Sequence, residues 1–180
     1  ETSGGDTIRL RHGGLGVLSA ETGTRLQHVS IDSARTLTHD EAESYQGYSG
    51  TPTDSWVEDV PSVYTHGGGV AIYNCSPLLE DVTIENSISY QDGGGLWVYQ
   101  SAPTIVRSVI ENNQALGTNN EGTAGAHGGG VVFWGSKPNF YANIIRNNLA
   151  DGDGGAIYAL SLTAGTIANT VCFENTAGNI

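Results

Sequence analysis

The chain has 180 residues, and 26 of them are glycine, which is about twice the usual share and too unevenly placed for collagen. Acidic residues outnumber basic ones 19 to 7, giving a net charge of −12, and the basic residues form no track. Nucleic acid, which needs such a track, is therefore excluded as a partner. No run of 18 apolar residues is present, so no membrane insertion is expected.

A repeat of 26 residues organises the sequence. A weak first copy begins at His12, and an excursion from Arg35 to Thr65 follows it. Regular copies then open with His or Asp before a glycine run, and their starts are 26, 35 and 26 residues apart. The longer interval contains a Gly-, Asn- and Thr-rich insertion at residues 116–126. We therefore expect a single domain over 1–180, with weak first coils at 1–34, a loop excursion at 35–65 and regular coils at 66–180.

Each copy contains two or three short apolar runs separated by Gly, Asn, Ser and Pro, and none is long enough for a helix. A unit of this size cannot bury its own apolar face, so it must stack on its neighbours. The pattern predicts an all-β solenoid, a parallel β-helix of about five to seven coils with two loop insertions.

The copies keep a common register. Three prolines each lie eight residues after the last glycine of their run: Pro77, Pro103 and Pro138. In the last copy, Ala164 takes the proline position and the following Phe-Glu-Asn is two residues late. Asparagines that tolerate left-handed turns are expected to form one hydrogen-bonded ladder: Asn86, Asn112, Asn147 and Asn175.

The Gly-Gly-Ala-Ile of 154–157 and the Ile/Phe-x-Asn elements of 110–113, 145–148 and 173–176 resemble the repeats of polymorphic outer-membrane protein passengers. More broadly, they resemble the pectate-lyase-like superfamily of right-handed parallel β-helices. The resemblance covers 66–180 well and 12–34 loosely. It implies a right-handed coil and a secreted or surface-displayed bacterial protein, and relatives of this kind include adhesins, sugar-cleaving enzymes and structural stalks.

Alternation along the first strand of each copy predicts an aromatic outer face. Apolar pairs such as Leu96/Val98 should point inward, and the alternate positions should point outward. The candidate ligand-binding residues on that face are Tyr73, Trp97, Tyr99, Trp134 and Tyr158. Such a strip suits stacking against sugar rings or docking a partner. The alternatives are that a loop or a neighbouring subunit covers it, or that this face is the inner one.

The residue before each glycine run forms a second column, with four candidate positions: His66, Asp92, His127 and Asp153. Stacked imidazoles and carboxylates could bind a divalent ion or act in catalysis. The simpler interpretation is that polar side chains cap backbone groups at a turn.

Acidic residues are concentrated in the excursion and the turns: Asp40, Glu41, Glu43, Asp54, Glu58, Asp59, Asp151 and Asp153. Their oxygens would suit calcium, although no spaced calcium loop is present, so most are expected to be solvated and no cofactor is required. Cys75 and Cys172 are three coils apart, too far for a disulfide, and both are expected to be free and largely buried.

The leading hypothesis is a non-catalytic, secreted or cell-surface module for adhesion, glycan contact or extracellular assembly. Its partner would be a polysaccharide or another protein surface, or a second copy stacked along the β-helix. The alternative is a carbohydrate-active β-helix enzyme, either a polysaccharide lyase or a glycoside hydrolase, with the His/Asp column as its weak catalytic candidates. A third hypothesis is a purely structural unit of a longer stalk.

Overall fold

The computed structural model describes residues 7–11, 14–18, 23–36, 66–117 and 125–178, and every regular element in these ranges is a β-strand. The strands form five coils. The first coil contains β2 (Gly14–Leu18), β3 (Arg25–Gln27) and β4 (Ser30–Asp32), and β1 (Thr7–Arg11) precedes it.

Each of the four regular coils contains four strands. The second has β5 (Val70–Tyr73), β6 (Leu78–Glu80), β7 (Thr83–Glu85) and β8 (Ile88–Ser89). The third has β9 (Leu96–Tyr99), β10 (Thr104–Val106), β11 (Val109–Glu111) and β12 (Gln114–Ala115). The fourth has β13 (Val131–Trp134), β14 (Asn139–Tyr141), β15 (Ile144–Arg146) and β16 (Leu149–Ala150). The fifth has β17 (Ile157–Leu160), β18 (Thr166–Ala168), β19 (Val171–Phe173) and β20 (Thr176–Ala177).

Equivalent strands of successive coils pair in parallel and build four sheets. Sheet A has the order β1-β2-β5-β9-β13-β17, sheet B β3-β6-β10-β14-β18, sheet C β4-β7-β11-β15-β19 and sheet D β8-β12-β16-β20. The exception is β1, which pairs with β2 in the antiparallel sense and occupies its outer edge. The parallel β-helix predicted from the repeat is confirmed.

The weak first copy lies in register with the regular ones, since Leu15 pairs with Val70 and Ile31 with Ile84. This coil also extends further than predicted: Arg35 bridges Ile88, and the Thr36 N–H donates to the Ile88 carbonyl. The predicted excursion therefore begins after Thr36, and its residues 37–65 lie outside the described residues.

The predicted alternation is confirmed. The inward pairs of the second, third and fourth coils belong to the main core together with Leu79, Ile84, Ile105, Ile110, Phe140 and Ile145. The glycine run lets adjacent turns approach closely, because a Cβ on Gly94 would lie 2.3 Å from the Gly129 carbonyl oxygen of the next coil. In the four regular coils, the first glycine of the run has a positive φ, between 65° and 73°.

The asparagine ladder is real and includes Asn175 as predicted, but the register predicted for its other members was wrong by one residue. Asn86, Asn112 and Asn147 are the exposed positive-φ residues, and Glu174 occupies that position in the fifth coil. The buried ladder is the next column: Ser87, Asn113, Asn148 and Asn175. Asn113 Nδ2 donates to Oδ1 of Asn148 (3.0 Å), and Asn148 Nδ2 donates to Oδ1 of Asn175 (2.9 Å). The Asn side chain that bridges two coils therefore belongs to the residue immediately after the one with left-handed backbone.

The fifth coil differs from its predicted form in two respects. Asn139 pairs with Thr166, so Gly165 rather than Ala164 takes the position of Pro138, and the coil gains one residue rather than two. Cys172 lies in the inward column of Ile145 but is exposed, because no described coil covers its far side. The expectation of two buried thiols is therefore correct for Cys75 and wrong for Cys172, while neither cysteine forms a disulfide, as predicted.

Candidate functional site

The outer face of sheet A carries the predicted aromatic residues in two columns. The second position of each strand holds Ala71, Trp97, Val132 and Tyr158, and the fourth position holds Tyr73, Tyr99, Trp134 and Leu160. All of these side chains except Leu160 form an apolar cluster of their own, separate from the main core. The inner orientation of this face is thereby excluded.

The rings of this face stack on one another. Tyr73 and Tyr99 have centroids 5.4 Å apart with an interplanar angle of 4°, and Trp97 stacks on Tyr99 at 5.3 Å. Trp134 is tilted by 56° against Tyr99. Because Tyr99 has neighbouring rings on more than one side, an approaching molecule meets its edge and hydroxyl group more readily than its face.

Burial across this face is uneven. Trp97 is only 1% exposed, and Ala71 and Val132 have no exposed area, although all three point away from the main core. Tyr73, Tyr99, Trp134 and Tyr158 are partly buried. The centre of the face is thus a second small core, as in the covered alternative, and aromatic groups of intermediate exposure surround it. The loops proposed as the cover, 35–65 and 116–126, lie mostly outside the described residues.

Within the described part of the chain, the Nε1–H of Trp97 has no hydrogen-bond partner. The indole instead lies against the imidazole of His66, with ring centroids 4.9 Å apart. The aromatic face and the His/Asp column therefore meet at this point.

The His/Asp column is assembled as the repeat predicts, and its described side chains act between coils. Oδ1 of Asp92 accepts a hydrogen bond from the His127 N–H at 2.7 Å. Nδ1 of His127 in turn accepts from the Asp153 N–H at 2.9 Å and lies 3.8 Å from the Asp153 carboxylate. An Nδ1 that accepts a hydrogen bond carries no proton, so the ring proton is on Nε2. This is the capping arrangement of the simpler interpretation.

The column is also shielded from solvent to different degrees. His66 and Asp92 are each 6% exposed, whereas the side chain of Asp153 is largely exposed. His127 stacks on Tyr158 with centroids 4.4 Å apart. The capping bonds hold Asp92 and His127 to the backbone of the next coil, which favours a structural role over acid–base chemistry.

The acidic residues considered for calcium are only partly described. Asp40, Glu41, Glu43, Asp54, Glu58 and Asp59 lie outside the described residues. Asp151 uses its Oδ2 to accept from the Gly117 N–H at 3.1 Å, a hydrogen bond between the third and fourth coils. Among the residues that the structure describes, no group of three or more His, Cys, Asp or Glu side chains is arranged to hold a metal ion.

Sequence reasoning missed two features. Arg107 bridges Glu80 and Asp81 of the preceding coil, and these hydrogen bonds lower the pKa of both carboxyl groups. A groove of about 250 Å³ lies at the turn between sheets A and B, with Asn74, Gln100 and Lys137 in its lining. Two buried serines, Ser101 and Ser136, lie under this groove. They are 35 residues apart, like the glycine runs of their two coils, and this spacing is the signal in the sequence that could have identified them.

Comparison with known proteins gives the class of the molecule. Residues 51–180 match the family model of the right-handed β-helix region, which covers most of the chain. The chain therefore belongs to the right-handed β-helix family, and its fold is an all-β, right-handed parallel β-helix. No curated protein and no solved structure matched it. In the described ranges, no helix has the length and apolarity needed to cross a membrane.

Proposed function

We propose that the chain is a non-catalytic, secreted or surface-displayed β-helix module that binds a polysaccharide through the outer face of sheet A. The observation that carries this proposal is the in-register row of Tyr73, Tyr99 and Trp134 on a rigid parallel sheet. Their spacing is set by backbone pairing, so the rings are held in place before any ligand arrives.

The chemistry of the row suits a hydroxyl-rich chain. Partly buried tyrosines offer a phenolic hydroxyl at the edge of an apolar body, and tryptophan adds a large apolar ring. Ring edges repeated up the solenoid axis match a polymer better than a single small molecule. Trp97 belongs to the support beneath this row rather than to the contact surface, because it is 1% exposed.

The capping role of the His/Asp column supports the proposal that the chain is not an enzyme. Asp92 and His127 are engaged in capping the next coil, as their 2.7 Å and 2.9 Å hydrogen bonds show. A glycosidase would need two carboxyl groups on one face at a set separation. Asp92 and Asp153 belong to the third and fifth coils, with His127 between them.

The test is glycan-array binding of the full chain, with and without calcium. Trp134→Ala should weaken binding about tenfold or more, in line with the loss of one aromatic contact. The matched control is Tyr141→Ala, which removes an aromatic side chain that is 40% exposed on sheet B. Trp97→Ala is not used as the probe, because loss of a buried indole would perturb folding.

Three outcomes would contradict the proposal. Wild-type protein that binds no glycan under either condition would remove the polysaccharide as partner. Equal weakening by Trp134→Ala and Tyr141→Ala would show that sheet A is not the contact surface. Release of reducing ends from a bound polysaccharide would contradict the non-catalytic role.

A further inference from the structure

The groove at the turn between sheets A and B adjoins the aromatic row. Each ring of the row is followed directly in the chain by a residue that lines the groove: Tyr73 by Asn74, Tyr99 by Gln100 and Trp134 by Gly135. These three groove residues have a positive φ, between 46° and 57°. Nε2 of Gln100 donates to the Tyr99 hydroxyl group at 3.0 Å, which joins the groove to the row. A ligand that lies along the row therefore also meets the groove.

Buried serine side chains fix the floor of the groove. The hydroxyl group of Ser101 donates to the Tyr99 carbonyl (2.6 Å) and accepts from the Cys75 N–H (3.2 Å). Ser136 repeats this arrangement one coil further, donating to the Trp134 carbonyl (2.8 Å) and accepting from the Ser101 N–H (3.3 Å). Each serine thus ties the turn after an aromatic residue to the turn of the preceding coil. The groove therefore has its shape before any ligand binds.

The size of the groove limits what it can hold. Its volume is about 250 Å³, which is below the roughly 300–1,000 Å³ of pockets for drug-sized ligands. It therefore suits one sugar unit, or one group attached to a sugar, rather than a longer segment. Its lining includes Asn74, Ser76 and Gln100, which carry amide and hydroxyl groups, and one charged residue, Lys137.

The distribution of charge over the turns separates this groove from the rest of the regular coils. The turns from sheet A to sheet B, residues 74–77, 100–103, 135–138 and 161–165, contain no Asp or Glu. They include Lys137, the only lysine in the chain. Each of the other three turns carries a carboxylate in at least one coil: Asp81, Glu174 and Asp151. In a chain with a net charge of −12, the groove is therefore a local site of positive charge.

The Lys137 ammonium is available to a ligand. Its side chain is exposed and forms no ion pair with the residues that the structure describes. Arg107 and Arg146, in contrast, are bound to carboxylates of the preceding coil. An ammonium group acts as a point charge with three rotatable donors, which suits a carboxylate or a sulfate group. The groove thus offers one binding point for one acidic group, beside a row of aromatic rings.

We infer that the polysaccharide bound on sheet A is sparsely acidic, with one acidic group in the groove against Lys137 and neutral sugar units along the aromatic row. This inference rests on the proposed polysaccharide site and names its ligand class. A neutral glycan would leave the ammonium unused. A densely charged polyanion would bring its other acidic groups towards a chain of net charge −12, which repels them.

The experiment compares binding of matched glycans, first on an array and then in solution. The matched probes are xylo-oligosaccharides with and without one glucuronate, and lactose with and without one sialate or one sulfate. Oligogalacturonate is the densely charged probe. The variant is Lys137→Gln. The control is Arg107→Gln, which removes the same charge at the other edge of sheet B, after β10 rather than before β14.

The wild-type chain should bind a singly acidic glycan about threefold or more tightly than its neutral counterpart, in line with one exposed ion pair. It should bind oligogalacturonate more weakly than the singly acidic glycan. Lys137→Gln should remove the preference for the acidic glycan, and Arg107→Gln should retain it. Added salt should reduce the preference, because an exposed ion pair is screened. The carboxylate and sulfate probes identify which acidic group the groove prefers.

Equal binding of neutral and singly acidic glycans would overturn the inference and leave the polysaccharide site in place, since Trp134→Ala tests that site separately. A preference for the acidic glycan that survives Lys137→Gln, or that Arg107→Gln removes equally, would also overturn it. Tightest binding of oligogalacturonate would assign the site to dense polyanions instead. If no glycan binds at all, the proposed function and this inference are both wrong.

Discussion

The third and fifth coils have the same four-strand pattern, but in the described structure the third pairs with a coil on both sides and the fifth with a coil on one side. In the third coil, the inward residues Ile105 and Ile110 are 1% and 0% exposed. Their equivalents in the fifth coil are Ile167, which is 43% exposed, and Cys172, which is also exposed. The comparison teaches that the repeat sets the strands and their register, whereas the burial of the inward side chains in these two coils differs with the number of coils packed against them.

Partial burial nevertheless affects the fifth coil, since it raises the pKa of the Cys172 thiol. Its ladder residue, Asn175, has a described ladder neighbour, Asn148, on one side only. Matched substitutions in the two coils therefore separate the stability that comes from the residues of one repeat from the stability that stacking between coils adds.

The largest effect is expected at the ladder. Asn113→Ala removes the acceptor of the Ser87 N–H and the donor to the Ile84 carbonyl, all of them buried. Unpartnered buried groups each cost about 1–3 kcal/mol, so the variant should lose about 3–5 kcal/mol of unfolding free energy. Asn175→Ala should lose about 1 kcal/mol. Urea unfolding followed by circular dichroism measures both, and equal losses would show that the ladder does not depend on burial.

The next effect is in the inward column of sheet C. Ile110→Ala creates a cavity in a fully buried site and should cost about 2–5 kcal/mol. Cys172→Ala removes a smaller, exposed side chain from the same column and should cost less than about 1 kcal/mol. The midpoints of chemical denaturation compare the two. A costly Cys172→Ala would mean that the fifth coil is already covered in solution.

A smaller effect is expected for the His/Asp column, between the fourth and fifth coils. His127→Ala removes the acceptor of the Asp153 N–H and should cost about 1 kcal/mol. His127→Asp should retain much of that stability, because Asp92 shows that a carboxylate caps the same position. Thermal unfolding near neutral pH makes the comparison. If both variants were equally unstable, the imidazole would have a role other than capping.

The smallest effect concerns the surface ion pairs. Arg107 lowers the pKa of Glu80 and Asp81 in the folded chain. The two ion pairs therefore stabilise the folded chain at pH values above the pKa of these carboxyl groups in the unfolded chain, which is about 4. This stabilisation is lost as the pH falls through the lower pKa values of the folded chain. Arg107→Gln should therefore reduce the slope of melting temperature against pH below about pH 4. An unchanged slope would show that the pairs are fully screened by solvent.

Much of the fold was predictable from the sequence, because a solenoid repeats one set of local rules. The glycine runs, the prolines and the inward aliphatic residues recur at fixed spacing. The order of the strands and the face to which their side chains point could therefore be predicted directly. In the ladder, Asn175 was predicted correctly and the other members were missed by one residue. Asn112 and Asn113 are the same amino acid, and only the positive φ of Asn112 and the burial of Asn113 show which one is turned inward.

The candidate site was predictable in part. The positions of Tyr73, Trp97, Tyr99 and Trp134 on one outer face followed from alternation, and the stacking of His127 above Asp92 followed from the repeat. The burial of Trp97 did not follow, because it depends on groups packed over the sheet rather than on the strand that carries it. The Arg107 ion pair was missed because Arg107 and Asp81 meet only across coils.

The amino-acid sequence by itself determined the period of the chain, the order of its strands and turns, and the face to which each strand side chain belongs, since these depend on residues within one copy. The tertiary structure alone decided which inward residues are buried, which Asn is in the ladder, and that the His/Asp column caps the backbone of the next coil. Those properties arise between copies, where the distance along the chain is large and the contact is set by stacking.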